Sequence, residues 1–203
     1  MNRSQFNTLA PDECDKLLSH LQQPPGNTAP PRVHHRNYTM ALLILDTGCR
    51  VGELVQLEQN QLVFNSTPVN TLTIFKSQAK NKHERTIPIS SRLRDALEKM
   101  YRLWWYGDHD HGTRYAFYAN WCMRPLTVRQ AQRIITSAGK LSIGRDIHPH
   151  LLRHTFATRL MTKTSMRVVQ ELLGHKNLSS TQIYTHPNSE DLKKAIDSLD
   201  KKT

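Results

Sequence analysis

The chain has 203 residues, of which 28 are Lys or Arg and 17 are Asp or Glu, so its formal net charge is +11. That length suits one domain and allows a core to form without disulfides or bound metal. No apolar run approaches the roughly 18–20 residues that a membrane-spanning helix needs, and the N-terminus lacks the apolar segment of a signal peptide. The positive charge favours a polyanionic partner, with nucleic acid ahead of an anionic membrane.

The three cysteines, Cys14, Cys49 and Cys122, lie far apart in the chain and form no CxxC pair. This spacing argues against a disulfide framework and against a zinc ribbon. We therefore expect buried free thiols in a protein of the reducing cytoplasm.

Helical spacing of apolar residues predicts a first helix over 13–21. Its inner face is formed by Cys14, Leu17, Leu18 and Leu21. The proline-rich stretch 24–31 predicts a loop. A second helix is expected from about Arg36 to Asp46, and Gly48 ends it.

The next part of the chain predicts a short helix starting at Arg50 or Val51, followed by one small antiparallel sheet. Apolar and β-branched content indicates its strands, which are Leu62–Phe64, Leu72–Phe75 and Arg85–Ile89. The polar stretch 77–84 between the last two strands is expected to be a hairpin loop. Residues 115–118 indicate a further short strand.

Helices dominate the rest of the chain. Ser90 is expected to cap a helix with Leu93, Leu97 and Met100 inside, and Thr127 to cap another that runs to about Ala138. A helix over Ser165–Leu173 should end at Gly174, with a short helix after Ser179. The fold class is therefore mainly α with a small antiparallel β-sheet (α+β).

One further helix carries three polar side chains. In HPHLLRH, Arg153 and His154 lie three and four residues after His150, so all three can point toward one place. Pro149 suits the first helical position, where its missing N–H costs nothing. A separate face anchors this helix to the core through Leu152, Phe156 and Leu160.

Three interpretations of this polar face remain open from the helix alone. A His-x3-His pair can ligate zinc, but the pair lacks the Glu of HExxH and an evident third ligand, and Arg153 would repel a cation. A solvated polar face with one buried histidine is the ordinary alternative. A phosphate site is the third, since Arg and His donate hydrogen bonds in complementary geometries, but it needs partners elsewhere.

Such partners occur in a fixed order along the chain. The segments TGCRVGELVQL, KNKHERTIPI, HPHLLRHTFAT, LLGH and IYTH follow one another. Together they resemble the catalytic domain of tyrosine recombinases, the lambda-integrase-like family that includes the Xer recombinases. The resemblance extends from about Thr8 to His186, and five ordered motifs make it specific.

The resemblance implies a role for each matching residue. Arg50 and Arg153 correspond to the two arginines that clamp the phosphate, and His150 and His175 to the two histidines. Tyr184 corresponds to the nucleophile.

Three supporting assignments also come from the resemblance. Lys80 is the preferred hairpin lysine and general acid, with Lys76 and Lys82 as rivals because hairpin loops vary in length. Glu53 is expected to orient Arg50, and His154 to have a structural role.

By the same resemblance, the protein is an enzyme that cuts and rejoins double-stranded DNA through a 3′-phosphotyrosine, without metal, ATP or another cofactor. The implied assembly is a tetramer on synapsed DNA and a monomer or weak oligomer when free, with an accessory DNA-bending protein as a candidate partner and no membrane partner. The implied location is the cytoplasm, in association with the nucleoid.

The implied domain organisation is a catalytic domain over residues 1–187, without the N-terminal core-binding domain of longer members, and a tail over 188–203. The tail has a weak apolar stripe at Leu192, Ala195, Ile196 and Leu199 and is a candidate segment for exchange between protomers. Two alternative functions remain, a non-catalytic DNA-binding regulator and a type IB topoisomerase-like enzyme that relaxes DNA.

Overall fold

The computed structural model describes residues 8–23, 26, 29–79, 82–106, 113–119, 124–174 and 189–200. Its helices are α1 (Pro11–Gln22), α2 (Pro31–Thr47), α3 (Val51–Leu54), α4 (Ser91–Met100), α5 (Val128–Ile143), α6 (Pro149–Met161), α7 (Met166–Leu173) and α8 (Ser189–Asp200). Its strands are β1 (Val63–Phe64), β2 (Thr67–Pro68), β3 (Thr71–Ile74) and β4 (Arg85–Pro88). The predicted class, mainly helical with little antiparallel sheet, is confirmed.

The first helix forms as its apolar spacing predicts. Pro11 lies in the first turn of α1, where its missing N–H disrupts no helical hydrogen bond. The four predicted inner residues, Cys14, Leu17, Leu18 and Leu21, are all buried. They pack α1 against α2 and α5.

The central helix α2 begins five residues earlier than predicted, at Pro31 rather than Arg36. The prediction treated residues 24–31 as a loop because prolines break helices. Pro31 instead occupies the first helical position, which proline tolerates, and Pro30 precedes it as the N-cap. Because residues 40–45 are completely buried on every side, α2 forms the centre of the core, where it contacts α1, α4 and α6.

Among the residues described, the structure forms two separate two-stranded sheets where the sequence predicted one. β1 and β2 are joined by Asn65 and Ser66, both at positive φ as a tight two-residue hairpin turn requires. β3 pairs with β4, with Thr71 opposite Pro88 and Ile74 opposite Arg85. β2 was missed because a two-residue strand is too short to show alternation.

Side-chain caps start the next two helices as predicted. The hydroxyl of Ser90 accepts a hydrogen bond from the N–H of Leu93, and Thr127 begins α5 in the same way. A π-helical turn, Tyr101–Trp105, extends α4, and α5 continues five residues beyond the predicted Ala138. The strand predicted over 115–118 is wrong, since this segment forms only single bridges to Glu58 and Pro125.

Helices α6, α7 and α8 pack together beside the β3–β4 hairpin. Gly174 ends α7 in the left-handed conformation, and Ser165 caps its start. The apolar stripe predicted in the tail lies on α8, where Ala195, Ile196 and Leu199 are buried against the same chain. The short helix predicted after Ser179 lies outside the described residues.

Cys14 and Cys49 are buried free thiols, and burial raises the pKa of Cys14 to about 11. Cys122 lies outside the described residues. Within the part of the chain that the structure describes, no helix is both long and apolar enough to cross a membrane.

Candidate active site

Arg50 stands at a sharp turn between α2 and α3. Gly48 ends α2 with φ +62°, and Arg50 is the extended N-cap of α3. A Cβ on Gly48 would lie 2.4 Å from Phe156 Cδ1 and 2.9 Å from Leu173 Cδ2, so this position requires glycine for space as well as for φ. The turn that presents Arg50 is therefore in direct contact with α6 and α7.

The structure brings Glu53 and Arg50 together. The carboxylate of Glu53 accepts hydrogen bonds from the Arg50 backbone N–H at 2.8 Å and from Arg50 Nη1 at 3.1 Å. The backbone contact closes the first turn of α3 as a capping interaction. Glu53 is 1% exposed, whereas the side chain of Arg50 is 19% exposed and reaches solvent.

Arg85 shares the same carboxylate, which sequence analysis missed. Its Nη1 donates to Glu53 Oε1 at 3.0 Å and its Nη2 to Oε2 at 2.6 Å, a two-pronged contact between buried side chains. Its Nε donates to the carbonyl oxygen of Leu172 at the end of α7. The sequence showed Arg85 only as the first residue of a strand, and no local pattern pointed to a partner 32 residues away.

The contacts of Glu53 determine its ionisation. Burial alone would raise the pKa of this carboxyl, but the hydrogen bonds and charge of Arg85, joined by Arg50, outweigh burial and leave the pKa below 4.5. Glu53 is therefore a carboxylate at neutral pH.

Arg153 projects from α6 into the same region and is buried. It donates to the carbonyl of Gly48 through Nη1 and to the carbonyl of Leu173 through Nη2 at 2.9 Å. Burial, helped by the charges of Arg50 and Arg85, lowers the pKa of Arg153 to about 10. The guanidinium is still protonated at neutral pH and links the ends of α2 and α7.

His150 lies at the exposed start of α6, after His148, whose ring nitrogen Nδ1 caps the helix. The two imidazole rings are 6.3 Å apart. Partial burial, followed by the neighbouring His148 and Arg153, lowers the pKa of His150 below 6.5. A neutral imidazole, able to accept a proton, is therefore the main form at pH 7. His154 is exposed on the next turn of the helix.

An open groove of about 420 Å³ connects these elements. We call it the Arg50 groove, and it is lined by Arg50, Val51, Gly52, Glu53, Gln56, Ser77, Gln78, Ala79 and His150. It combines the start of α3, the start of α6 and the base of the β3–β4 hairpin. The Arg50 groove is thus lined by the cationic Arg50, by the neutral imidazole of His150 and by the residues just before Lys80.

Gln78 fixes the base of that hairpin. Its Nε2 donates to the carbonyl of Gln56 at 2.8 Å and to Gln61 Oε1 at 2.9 Å, and its Oε1 accepts from the N–H of Phe75. These bonds attach the hairpin to the segment that follows α3 and so hold residues 77–79 at the edge of the Arg50 groove.

Three of the predicted site residues, Lys80, His175 and Tyr184, lie outside the described residues. The rival lysines Lys76 and Lys82 are described and exposed, and Lys82 has φ +51°. In the described ranges, no three His, Cys, Asp or Glu side chains converge as metal ligands would.

Known proteins are similar to this chain in sequence and in fold. Residues 7–191 match the phage integrase family over most of the chain. The chain belongs to the phage integrase family. The resemblance to tyrosine recombinases that the ordered motifs indicate is thereby confirmed.

Curated relatives in this family include named tyrosine recombinases. A tyrosine recombinase of Pseudothermotoga lettingae is 34% identical over 192 residues, which cover 94% of this chain and 60% of that protein. Tyrosine recombinase XerC of Bacillus pumilus is 38% identical over 166 residues, covering 78% of this chain and 52% of the relative. The chain thus spans between half and two thirds of the length of these relatives.

Two solved structures show that family members share the fold. The XerA recombinase superposes with a TM-score of 0.68 at 26% identity, covering 97% of this chain and 66% of that one. The XerH recombinase, solved as a pre-cleavage complex with its difH substrate, gives a TM-score of 0.61 at 26% identity over 84% of this chain and 47% of XerH. The expected tyrosine recombinase catalytic-domain fold is confirmed.

Proposed function

We propose that this chain carries out DNA strand transfer in a site-specific recombinase, through a covalent 3′-phosphotyrosine at Tyr184. The observation that carries the proposal is the Arg50 groove, which places Arg50 and a neutral His150 beside the hairpin that leads to Lys80. The membership of the family and the named recombinases among its relatives support the same reaction.

The proposed chemistry assigns each atom a destination. The Tyr184 oxygen forms a bond to phosphorus, the bond from phosphorus to the 5′-oxygen breaks, and the DNA 3′-phosphate stays on the enzyme. His150 accepts the proton of the tyrosine hydroxyl, because a phenol with a pKa of about 10 is a poor nucleophile at pH 7 until that proton leaves. Lys80 donates a proton to the departing 5′-oxygen.

The cationic groups stabilise charge that develops on the phosphate. Arg50 faces the groove, Arg153 and His175 complete the proposed set, and fixed donors of this kind stabilise a transition state without reorganising. Since the phosphotyrosine preserves the energy of the broken bond, rejoining needs no nucleotide cofactor.

Double-stranded DNA is the proposed partner. The formal charge of +11 supplies the attraction to phosphate, and the related XerH was solved bound to its difH DNA. We propose that four copies act on two synapsed sites, that residues 1–187 form the catalytic unit and that residues 188–203 dock on a neighbouring protomer in that assembly. An accessory DNA-bending protein is part of the same proposal.

A pool of nicked duplexes with randomised core sequences tests the reaction. A nick downstream of each core lets the short 5′-hydroxyl fragment diffuse away after cleavage, so that the covalent complex accumulates. We expect protein–DNA adducts that survive denaturation, with the DNA attached at Tyr184, and none from Tyr184→Phe. An adduct with the Tyr184→Phe variant, or DNA binding by wild type without any adduct, would contradict the proposal.

A further inference from the structure

A chain of three charged side chains, Arg50–Glu53–Arg85, runs from the groove into the core. Glu53 and Arg85 are 1% and 5% exposed, respectively. A buried ion pair is a weak source of stability, because desolvation of both charges offsets their attraction. What such a pair does provide is fixed geometry, so the question is which group this pair holds in place.

Arg85 controls how Glu53 contacts Arg50. It engages both carboxylate oxygens, at 3.0 and 2.6 Å, and so leaves Arg50 Nη1 one longer contact of 3.1 Å. Among the described residues, the side chain of Arg50 donates to no other group, so its remaining N–H groups are available to the groove. Without Arg85, both oxygens of a buried carboxylate would compete for the Arg50 guanidinium.

Arg85 also contacts the end of α7. Its Nε donates to the carbonyl of Leu172, while Arg153 donates to the carbonyl of Leu173. Carbonyl groups in the last turn of a helix lack helical partners and attract cations. The next residue, Gly174, packs so closely that a Cβ there would lie 3.0 Å from Arg85 Cδ. His175 follows directly in the sequence.

We propose that Arg85 is a positioning residue for strand transfer. It acts through Glu53 to keep the Arg50 guanidinium turned toward the groove, and through Leu172 to hold the helix end from which His175 departs. This inference rests on the proposed function for its kinetic consequence, but not for the coupling between Arg85 and Arg50.

Arg85→Gln tests the kinetic consequence under single-turnover conditions. At saturating DNA we expect covalent-complex formation to slow by up to about 100-fold, the cost of a small misplacement of a catalytic group. The DNA concentration for half-saturation should change by less than about threefold, because Arg85 itself does not reach the groove. Arg85→Lys keeps the charge but loses the two-pronged contact, so its rate should be intermediate.

Arg92→Gln is the matched control. Arg92 pairs with Asp46, another buried carboxylate, which also accepts a hydrogen bond from Ser90 and does not line the Arg50 groove. This variant also leaves a buried carboxylate without its arginine, so it should lose stability while the folded protein cleaves at the wild-type rate. An equal slowing in both variants would reduce the Arg85 effect to general destabilisation and overturn the proposal.

The double variant Glu53→Gln/Arg85→Gln addresses both folding and mechanism. It removes the carboxylate that Arg85→Gln alone would leave buried without its main partner, so it keeps the test open if the single variant does not fold. If Arg85 acts through Glu53, the double variant is about as slow as the slower of the two single variants, Arg85→Gln and Glu53→Gln. Rate losses that multiply would show independent roles and overturn the proposal.

A measurement without DNA separates this inference from the proposed function. In the ¹⁵N spectrum of the arginine side chains, the Arg50 Nε–H signal, assigned by its loss in Arg50→Lys, should shift and broaden in Arg85→Gln and stay in place in Arg92→Gln. An unchanged Arg50 signal in Arg85→Gln would overturn the inference even if the wild type forms a phosphotyrosine. A shifted signal in a protein that forms no adduct would sustain the inference and refute the proposed function.

Discussion

The guanidinium of Arg153 is largely shielded from water and donates hydrogen bonds to two carbonyl oxygens, which belong to different helices. The carbonyl groups of Gly48 and Leu173 end α2 and α7, and one planar guanidinium reaches both. The same residue is therefore expected to orient the site and to stabilise the packing around it.

Arg153→Lys should show how far each of these two roles depends on the forked guanidinium rather than on its positive charge. A lysine keeps the cation but cannot fork, so we expect covalent-complex formation to fall by ~10²-fold or more, as for loss of one transition-state donor. The carbonyl left without its donor should cost about 1–3 kcal/mol of unfolding free energy. Single-turnover cleavage and urea denaturation measure the two effects, and a lysine variant with the wild-type rate would exclude a forked contact from the chemistry.

The lowered pKa of His150 predicts that the reaction slows below a certain pH, which we call its acid limit. The rate depends on the neutral imidazole, so it should not be limited by this group at neutral pH and should fall as the pH drops through the lowered pKa, which lies below 6.5. A pH–rate profile of covalent-complex formation measures this limit.

His148→Asn provides the matched test of cause. Asparagine preserves a helix N-cap and removes the neighbouring imidazole that disfavours protonation of His150, so the acid limit should move upward. His150→Gln should abolish the acid limit together with most of the activity. An acid limit that persists in His150→Gln would assign it to another group.

At the scale of elements, the β3–β4 hairpin connects the sheet to the Arg50 groove. Gln78 secures its base through Gln56 and Gln61, and the preferred lysine follows two positions later. Because hydrogen bonds hold the base of the hairpin in place, the hairpin lysines can be substituted one at a time to find which of them acts on the substrate.

Lys80→Ala should slow cleavage of an ordinary DNA phosphodiester, because the departing 5′-oxygen then lacks its acid. A 5′-bridging phosphorothiolate has a leaving group that needs no proton, so it should restore the rate of Lys80→Ala toward wild type. Lys76→Ala and Lys82→Ala are the controls and should show no such rescue. Rescue confined to one of these controls would transfer the general-acid role to that lysine.

The boundaries of helices and strands show which features of the fold depend on neighbouring residues alone. Ser90 and Thr127 cap helices where the sequence predicts, because capping depends on a side chain and the nearest backbone N–H groups. The start of α2 was missed, since a proline is compatible with both a loop and a first helical turn. The division into two sheets was missed as well. The pairing of strands two residues long depends on packing against the rest of the molecule.

At the scale of the whole molecule, α8 is part of the core. Ile196 is fully buried, and the helix contacts α6, α7 and β4 of its own chain. Exchange of this tail with a neighbouring protomer stays a prediction, and any exchanged tail would have to offer the partner the same apolar face.

Ile196→Ala should lower the free energy of unfolding by about 2–5 kcal/mol, as for other fully buried large-to-small changes. Lys194→Ala, on the exposed side of the same helix, should change it by less than about 0.5 kcal/mol. Urea denaturation compares the two variants. Equal, small effects would mean that α8 does not dock on its own chain in solution.

The sequence by itself determined the helical class, most helix ends and the family, because these depend on local spacing and on five motifs whose order is visible in one dimension. Through the resemblance to that family it also indicated that Glu53 orients Arg50. Only the tertiary structure decided that Arg85 shares this carboxylate and that Arg153 joins the ends of α2 and α7. Those contacts cross 20 to 105 positions of sequence and exist only after the core has brought distant segments together.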